Sequence, residues 1–252
     1  MRIRVLGCYG GVTDHHSVAG FLVNETVLLE AGTVCDTLSV EQQHKIEAVF
    51  ISHSHLDHCA GVAFLVDNLY GDVTEPLRIM AMPETVEAIQ KNLFNGQVWP
   101  DFISITSTGN SVAVFETLEL NAPKQVGELC FTPFRVDHVI PTVGFIISDG
   151  KSSVLYSSDT RDVLGIVEKA QEVENLKLAI VEASFPNELE EFAFKTGHLA
   201  PIALRPLVSA LRGKVPVRLF HMKPRYVERI EEQVAELGGD VRLLRQEEVL
   251  EV

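Results

Sequence analysis

The chain of 252 residues contains no apolar run long enough to cross a lipid bilayer. Its start, MRIRVLGCYGG, holds too short an apolar stretch for a signal peptide and instead predicts a first strand that runs into a glycine turn. The four cysteines, at positions 8, 35, 59 and 130, show no CxxC spacing. We therefore expect a cytoplasmic protein with reduced thiols and no membrane partner.

Basic residues are also scarce, because 21 lysines and arginines stand against 35 aspartates and glutamates, a formal net charge of −14. Such a surface repels long polyanions, so the composition argues against extended contact with nucleic acid. A small anionic substrate is still compatible with this charge, since bound cations can dominate the field inside a pocket.

Linkers, repeats and low-complexity tracts are missing too, so the sequence offers no point at which to divide the chain. With 46% hydrophobic and 22% charged residues, the composition is ordinary for a globular protein. The glycine turn at residues 7–11 lacks the GxGxxG spacing of a dinucleotide site. Because helical and strand patterns are mixed along the chain, we predict one α/β domain over residues 1–252.

The most informative stretch is VFISHSHLDHCAG at residues 49–61, where an apolar strand is followed by four candidate metal ligands. Residues two apart on an extended segment point the same way, so His53 and His55 can share one ion. Asp57 and His58 fall where they can serve a neighbouring ion. Imidazole and carboxylate ligands suit zinc best, with iron or manganese as alternatives. A polar loop with surface histidines is the other interpretation, which the flanking buried strand and apolar helix disfavour.

Side chains that can bind metals or move protons recur at the ends of further apolar strands. They are His138 after FRV, Asp159 in VLYSSDT, Glu182 in LKLAIVEASF, His198 in TGHLAP and His221 in VPVRLFHMKPRY. Each alone is compatible with a capping aspartate or a satisfied buried histidine. Together they predict one edge of a layered α/β sandwich where loops converge on a metal centre. Glu30, near the end of another buried strand, is placed to orient a metal-bound histidine.

Turn residues and apolar periodicity predict the remaining elements. Residues 24–25 join two strands as a hairpin, and strands are expected at Val112–Leu120 and Leu129–Val136. Pro83 opens a helix with the sequence PETVEAIQKNLF, and Pro224 opens the last helix, which a pair of glycines closes.

These residues together resemble the metallo-β-lactamase superfamily, whose fold is a four-layered αββα sandwich with a metal site at one edge. HSHLDH matches its HxHxDH motif, and the later histidines and aspartate fall in the order of its later ligands. The resemblance implies two divalent metal ions, with zinc first and manganese or iron as alternatives. The implied ligands are His53, His55 and His138 for one ion and Asp57, His58 and His221 for the other, with Asp159 bridging the two.

Within that superfamily, PETVEAIQKNLFNGQVWPDF, TGHLAP and HMKPRY resemble the class II cyclic nucleotide phosphodiesterases. Cys59 departs from that family, which usually has an aliphatic residue there. The resemblance implies hydrolysis of 3′,5′-cyclic AMP, or cyclic GMP, to the 5′-nucleotide by a metal-bridging hydroxide. Asp57, His198 and Glu182 are the implied catalytic residues, with His198 donating a proton or contacting the phosphate and Glu182 orienting it.

Three residues are candidate substrate contacts. Trp99, the only tryptophan, is a candidate for stacking on the purine, although packing in its proline-containing loop is an equal alternative. Lys223 and Arg225 directly follow a metal ligand and are placed to neutralise phosphate, with a surface role at a helix start as the alternative. A homodimer is expected by analogy with the superfamily.

Three other functions stay open. Ribonuclease Z shares EASF, GHL and the closing His-to-RY segment, but the net charge of −14 opposes RNA and no long arm lies between Asp159 and Glu182. A redox di-iron protein of the same fold is a weaker alternative, since nothing indicates a flavin partner domain. A non-enzymatic ligand-binding module with a structural metal predicts an incomplete ligand set, whereas all seven positions are filled.

Overall fold

The computed structural model of the chain describes residues 1–72, 75–107 and 110–252. Within these ranges the strands are β1 (Arg2–Gly7), β2 (Gly20–Val23), β3 (Val27–Ala31), β4 (Ala48–Ile51), β5 (Leu77–Ala81), β6 (Thr106–Ser107), β7 (Asn110–Ser111), β8 (Ala113–Thr117), β9 (Lys124–Val126), β10 (Leu129–Val136), β11 (Thr142–Ser148), β12 (Ser153–Tyr156), β13 (Leu176–Glu182), β14 (Val217–Phe220), β15 (Val241–Leu243) and β16 (Val249–Glu251).

The helices are short, and none of those described is long and apolar enough to cross a bilayer. They are α1 (Val40–Gln43), α2 (Leu56–Cys59), α3 (Gly61–Leu69), α4 (Pro83–Asn92), α5 (Val163–Glu172), α6 (Glu190–Lys195), α7 (Arg205–Leu211) and α8 (Val227–Ala235). Single 3₁₀ turns occur at Asn187–Leu189, Pro201–Leu204 and Pro224–Tyr226.

The strands form two mixed seven-stranded sheets and one two-stranded ribbon. The first sheet has the order β16-β1-β2-β3-β4-β5-β8 and is antiparallel as far as β3 and parallel beyond it. The second sheet has the order β15-β14-β13-β12-β11-β10-β9 and is parallel from β15 to β12. Because parallel neighbours need crossover connections, each parallel step passes through helices, α1 to α4 in the first sheet and α5 to α8 in the second.

Apolar side chains separate the layers. Between the sheets, the rings of Phe50 and Phe131 stack with centroids 3.9 Å apart, and Phe21 meets Tyr156 edge-on at 5.6 Å. This core takes residues from both sheets and continues to α5, α7 and α8, while a second core lies between the first sheet and helices α3 and α4. The order helix, sheet, sheet, helix confirms the predicted αββα sandwich. The single domain over residues 1–252 stays a prediction, which the shared core supports.

The strand predicted at Leu129–Val136 is confirmed as β10, whereas the one predicted at Val112–Leu120 is the shorter β8, Ala113–Thr117, and helix ends also shift. The turn at residues 24–25 has φ of 46° and 65°, the left-handed backbone that a two-residue hairpin turn requires. Pro83 opens α4 as expected, although the helix ends at Asn92 rather than Phe94. Pro224 opens a 3₁₀ turn and α8 begins three residues later, a common arrangement at helix starts.

Candidate metal centre

The predicted ligands lie where strands of both sheets end at one edge. Strands β10, β12 and β14 run in the same direction, so their carboxyl ends deliver His138, Asp159 and His221 to that edge. The carboxyl end of β4 brings the HSHLDH segment from the other sheet. Residues up to 168 positions apart, from His53 to His221, are therefore neighbours in space.

The seven side chains fall into two groups whose donor atoms lie within 4.8 Å of one another. The groups are His53, His55, His138 and Asp159 on one side, and Asp57, His58 and His221 on the other. Within the first group, the Nδ1 atom of His55 is 3.1 Å from Nε2 of His53 and 3.4 Å from Nε2 of His138. This division into groups coincides with the ligand sets that the resemblance implies.

Asp159 occupies the centre of the cluster and is only 1% exposed. Its Oδ2 atom lies 3.3 to 4.0 Å from the Nε2 atoms of His221, His58, His53 and His138. Burial by itself raises the pKa of Asp159, but the surrounding imidazoles hold that pKa well below its usual range. A carboxylate that faces histidines of both groups is placed to be shared between two ions.

Several buried polar atoms of the cluster have no hydrogen-bond partner among the described residues. They are Oε1 of Glu30, both ring nitrogens of His58 and Oδ1 of Asp159. Buried polar groups are otherwise almost always bonded. Burial alone lowers the pKa of His58, but the carboxylates of Asp159 and Glu30 hold it well above its usual value, so the pocket stabilises a cation there. The donor set therefore fits divalent metal ions.

Glu30 lies behind the cluster at the position expected for a residue that orients a ligand. Its Oε1 atom is 3.4 Å from Nδ1 of His58, and its Oε2 atom accepts a hydrogen bond from the backbone N–H of Ser52 at 3.2 Å. The carboxylate is fully buried. Such a contact holds the ring so that the opposite nitrogen, Nε2, points at the cluster.

Three other buried histidines, unlike His58, have a hydrogen-bond partner at Nδ1. The pairs are His53 with the hydroxyl of Ser52 at 2.8 Å, His138 with the carbonyl of Gly197 at 2.9 Å, and His221 with the hydroxyl of Ser184 at 2.8 Å. A hydrogen bond at Nδ1 leaves Nε2 available to a metal. The sequence-based predictions contain none of these partners. The one available signal is a serine within two residues of a strand-end ligand or carboxylate, as in HSH and EAS.

Glu182 is fully buried and holds His198 at the edge of the cluster. Its carboxylate accepts from the backbone N–H groups of Thr160 and Leu199, the hydroxyl of Ser184, and Nδ1 of His198 at 2.9 Å. Burial alone lowers the pKa of His198, but Glu182 raises it above its usual value. One donor atom of His198 lies within 4.8 Å of those of Asp159 and His221, which suits a proton donor.

Three residues at this edge have left-handed backbone conformations. Glu30, Ser158 and His221 have φ of 60°, 53° and 69°, a conformation that costs on the order of 1 to 3 kcal/mol for a residue with a side chain. At Gly197, where φ is +83°, an added Cβ would lie 2.6 Å from Nδ1 of His138. Only glycine therefore allows this carbonyl to reach the histidine ring.

Lys223, one of the predicted substrate contacts, follows the candidate ligand His221 by two residues. Its ammonium group donates to the carbonyl of Gly10 at 2.8 Å. Gly10 in turn lies against the His221 ring, since a Cβ added to it would be 2.9 Å from Nδ1 of that histidine. A cation at this point can meet a negatively charged substrate.

The other two predicted substrate contacts lie against neighbouring aromatic rings. Trp99 packs edge-on against Phe64 at 5.1 Å, and its indole N–H is buried without a hydrogen-bond partner among the described residues. The guanidinium of Arg225 lies 5.8 Å from the ring centroid of Tyr226. The geometry thus gives Trp99 a packing contact, the alternative weighed for it from the sequence.

The family model for class-II cAMP phosphodiesterases matches residues 30–138, which include the histidine motif. Among solved structures, the metallo-β-lactamase fold protein YhfI from Bacillus subtilis aligns over 99% of both chains, with a TM-score of 0.81 and 20% identity. Yeast PDE1 aligns over 100% of this chain and 99% of its own, with a TM-score of 0.84 and 19% identity. The chain has the metallo-β-lactamase fold.

Three relatives with similar sequences have names that describe an activity. The cAMP/cGMP-dependent 3′,5′-cAMP/cGMP phosphodiesterase A of Dictyostelium discoideum is 27% identical over 77% of the chain, which spans 57% of that relative's length. A probable 3′,5′-cyclic-nucleotide phosphodiesterase of Yersinia pestis is 24% identical over 95% of the chain and 80% of its own length. Chloroplastic tRNase Z TRZ2 of Arabidopsis thaliana is 27% identical over 82% of the chain and 65% of its own length. The resemblance to class II phosphodiesterases is confirmed, and the names of the first two relatives agree with the prediction of a metal-dependent phosphodiester hydrolase.

Proposed function

We propose that the chain hydrolyses 3′,5′-cyclic AMP, and cyclic GMP, to the nucleoside 5′-monophosphate at a dinuclear metal centre. The observation that carries this proposal is the arrangement of two His/Asp groups around Asp159, beside the buried pair of Glu182 and His198. The names of the Dictyostelium and Yersinia relatives support a cyclic nucleotide as the substrate.

The proposed cofactors are two divalent ions, with zinc first and manganese or iron as alternatives. The proposed ligands are His53, His55 and His138 for one ion and Asp57, His58 and His221 for the other, with Asp159 between them. Bound metals supply an activated water near neutral pH and stabilise negative charge on the phosphate oxygens. The unpartnered atoms of Glu30, His58 and Asp159 support this assignment.

The chain's own groups position the substrate and move the proton. His198, held through Nδ1 by Glu182, is placed to donate a proton from its other nitrogen to the departing 3′ oxygen. Asp57 has a 27% exposed carboxylate, 3.2 Å from Nε2 of His221, and is placed to orient the attacking water. Lys223 offers its remaining N–H donors to the phosphate, and Arg225 at the following 3₁₀ turn is the second proposed cation.

The expected partners and location belong to the same proposal. The substrate is a small anion, since a formal net charge of −14 disfavours long nucleic acids. All four cysteines are free, which supports a reducing compartment such as the cytoplasm. A homodimer is proposed by analogy alone.

The decisive experiment is steady-state turnover of the zinc- or manganese-loaded protein on cyclic AMP, cyclic GMP and a precursor transfer RNA. We expect cleavage of a cyclic nucleotide to its 5′ product, and loss of both metal and turnover in a His58→Ala variant. A ribonuclease Z activity is the second candidate, because the tRNase Z relative from Arabidopsis shares much of the chain. If RNA is cut while both cyclic nucleotides survive, the proposed substrate is wrong.

A further inference from the structure

A cavity of about 320 Å³ opens beside His198. Its walls include the buried residues Leu199 and Ala200 and the side chains of Phe194 and Arg161. The size falls at the lower end of the range for small-molecule pockets. Since His198 also has a donor atom within 4.8 Å of Asp159, this one side chain lies between the cavity and the candidate metal centre.

The cavity presents an aromatic face that nothing in the described chain covers completely. Phe194 on α6 is 58% exposed, although it is large and apolar. The guanidinium of Arg161 lies 5.3 Å from the centroid of the Phe194 ring. Arg161 is held in turn by two hydrogen bonds to Asp137, at 2.9 and 3.1 Å. Two flat groups that are fixed against each other form a platform on which a planar ligand can stack.

We propose that this cavity binds the purine base of a nucleotide whose phosphate lies at the metal centre, an inference that rests on the proposed function. In a nucleotide the ribose separates base from phosphate, so a base site must begin about one sugar away from the metals. His198 spans that separation because its ring both lines the cavity and borders the cluster. Stacking on an aromatic ring accepts either purine.

The charges around the cavity favour the same orientation, with the base in the cavity and the phosphate at the metal centre. Glu190 and Glu191 line it, and Glu191 is paired with Lys195 at 2.7 Å. Arg161 is already neutralised by Asp137. The cavity therefore repels a phosphate and accepts the amino and ring N–H groups of a base, which leaves the phosphate to the cations at the other end.

A second cavity, of about 460 Å³, is the competing location because Phe64 lines it and Trp99 packs on Phe64. Its walls include Gly32 and Ala60, but among the described residues it contains none of the seven candidate ligands and neither member of the Glu182–His198 pair. The cavity at Phe194 also lacks the seven ligands, but His198, which has a donor atom within 4.8 Å of Asp159, lines it and does not line the second cavity. The cavity at Phe194 is therefore the favoured one.

The test compares Phe194→Ala with Phe192→Ala as the matched control. Phe192 lies on the same helix, is 50% exposed, and packs edge-on against Phe185 at 5.2 Å rather than lining the cavity. Isothermal titration calorimetry on the zinc-loaded proteins measures binding of adenosine 5′-monophosphate and of ribose 5-phosphate, which lacks the base. We expect the Kd for adenosine 5′-monophosphate to rise about tenfold or more in Phe194→Ala only, as the loss of one stacking contact predicts. Binding of ribose 5-phosphate should not change.

Three results overturn the base site: no binding of adenosine 5′-monophosphate by the wild-type protein, an unchanged Kd in Phe194→Ala, or an equal loss for ribose 5-phosphate. A rise in Kd that occurs in Trp99→Ala instead would place the base in the other cavity and also overturn it. Turnover of cyclic AMP is measured on the same samples. If the wild-type protein binds the base through Phe194 but cleaves no cyclic nucleotide, the base site stands and the proposed reaction fails.

Discussion

Replacing Ser184 with alanine should weaken metal binding about 10- to 100-fold without preventing folding, the range typical of residues that orient metal ligands. The Ser184 hydroxyl lies 2.8 Å from Nδ1 of His221 and donates to the Glu182 carboxylate at 2.8 Å. It therefore connects one candidate ligand with the carboxylate that holds His198. Without it, the His221 ring loses the contact that sets its tautomer and its orientation.

The expected loss of stability follows from the same contacts. The variant leaves Nδ1 of His221 buried without a partner, which costs about 1 to 3 kcal/mol. For a chain of this length, each kcal/mol lost from the free energy of unfolding lowers the melting temperature by about 3 °C. Metal-free Ser184→Ala should therefore melt about 3 to 9 °C below the wild type. Such a decrease leaves most of the protein folded at 25 °C.

Ser157→Ala is the matched control for this prediction. Ser157 is equally buried, and its hydroxyl makes two hydrogen bonds, with the N–H of Glu182 and the carbonyl of Ser158, but none with a histidine among the described residues. Zinc affinity is measured by competition with a chromophoric chelator, and stability by thermal unfolding in excess chelator. Ser157→Ala should lose stability and keep its zinc affinity. If Ser184→Ala binds zinc as the wild type does, or if both variants lose affinity equally, the orienting role of Ser184 is wrong.

Three further predictions address the proton donor, an ion pair and the thiols. Glu182→Gln should lower turnover of cyclic AMP by about 10²- to 10⁴-fold at unchanged zinc content, because a neutral amide cannot stabilise a protonated histidine; wild-type turnover would contradict this. Hydrogen bonds from Arg78 lower the pKa of Glu116 from 4.5 to about 2, so its contribution to stability is present above pH 4.5 and lost as the pH falls towards 2. Urea unfolding of Glu116→Gln should therefore show a smaller loss of stability over that interval, and parallel curves would refute the assignment. Burial raises the thiol pKa of Cys59 to about 12 and of Cys35 to about 11. Maleimide at pH 7 should therefore label both cysteines slowly in the native protein and rapidly in urea, as measured by mass spectrometry. Rapid labelling of the native protein would contradict this prediction.

The candidate ligands were predictable because each has a local signal. The HSHLDH segment combines alternation with a following apolar helix, and each later ligand stands at the end of an apolar run. Glu30 carried the same kind of signal, since a carboxylate in a strand that is otherwise buried needs a partner. In the structure its Oε2 atom accepts a hydrogen bond from the backbone of Ser52, and its Oε1 atom faces Nδ1 of His58 at 3.4 Å.

The partners of the ligands were not predictable in the same way. The bond between Ser184 and His221 joins residues 37 positions apart, and Gly197 meets His138 across 59 positions. A backbone carbonyl has no sequence pattern that predicts such a contact, and a serine near a strand-end ligand or carboxylate does not indicate which distant residue it will bind. The position of Trp99 was undetermined for the same reason, because an aromatic residue in a loop packs equally well on a ligand or on a neighbouring ring.

By itself, the sequence determined which residue types stand at the strand ends, and so a layered α/β sandwich and the kind of chemistry at its edge, while the four-layered αββα order followed from the family resemblance. Periodicity and motif spacing are local properties that short segments carry independently of the rest of the chain. Only the tertiary structure decided which nitrogen of each histidine faces Asp159, which hydroxyls hold the rings, and that Phe194 rather than Trp99 borders the cavity at His198. Those relations depend on how two sheets and their crossovers pack, and packing is set by all the apolar contacts together.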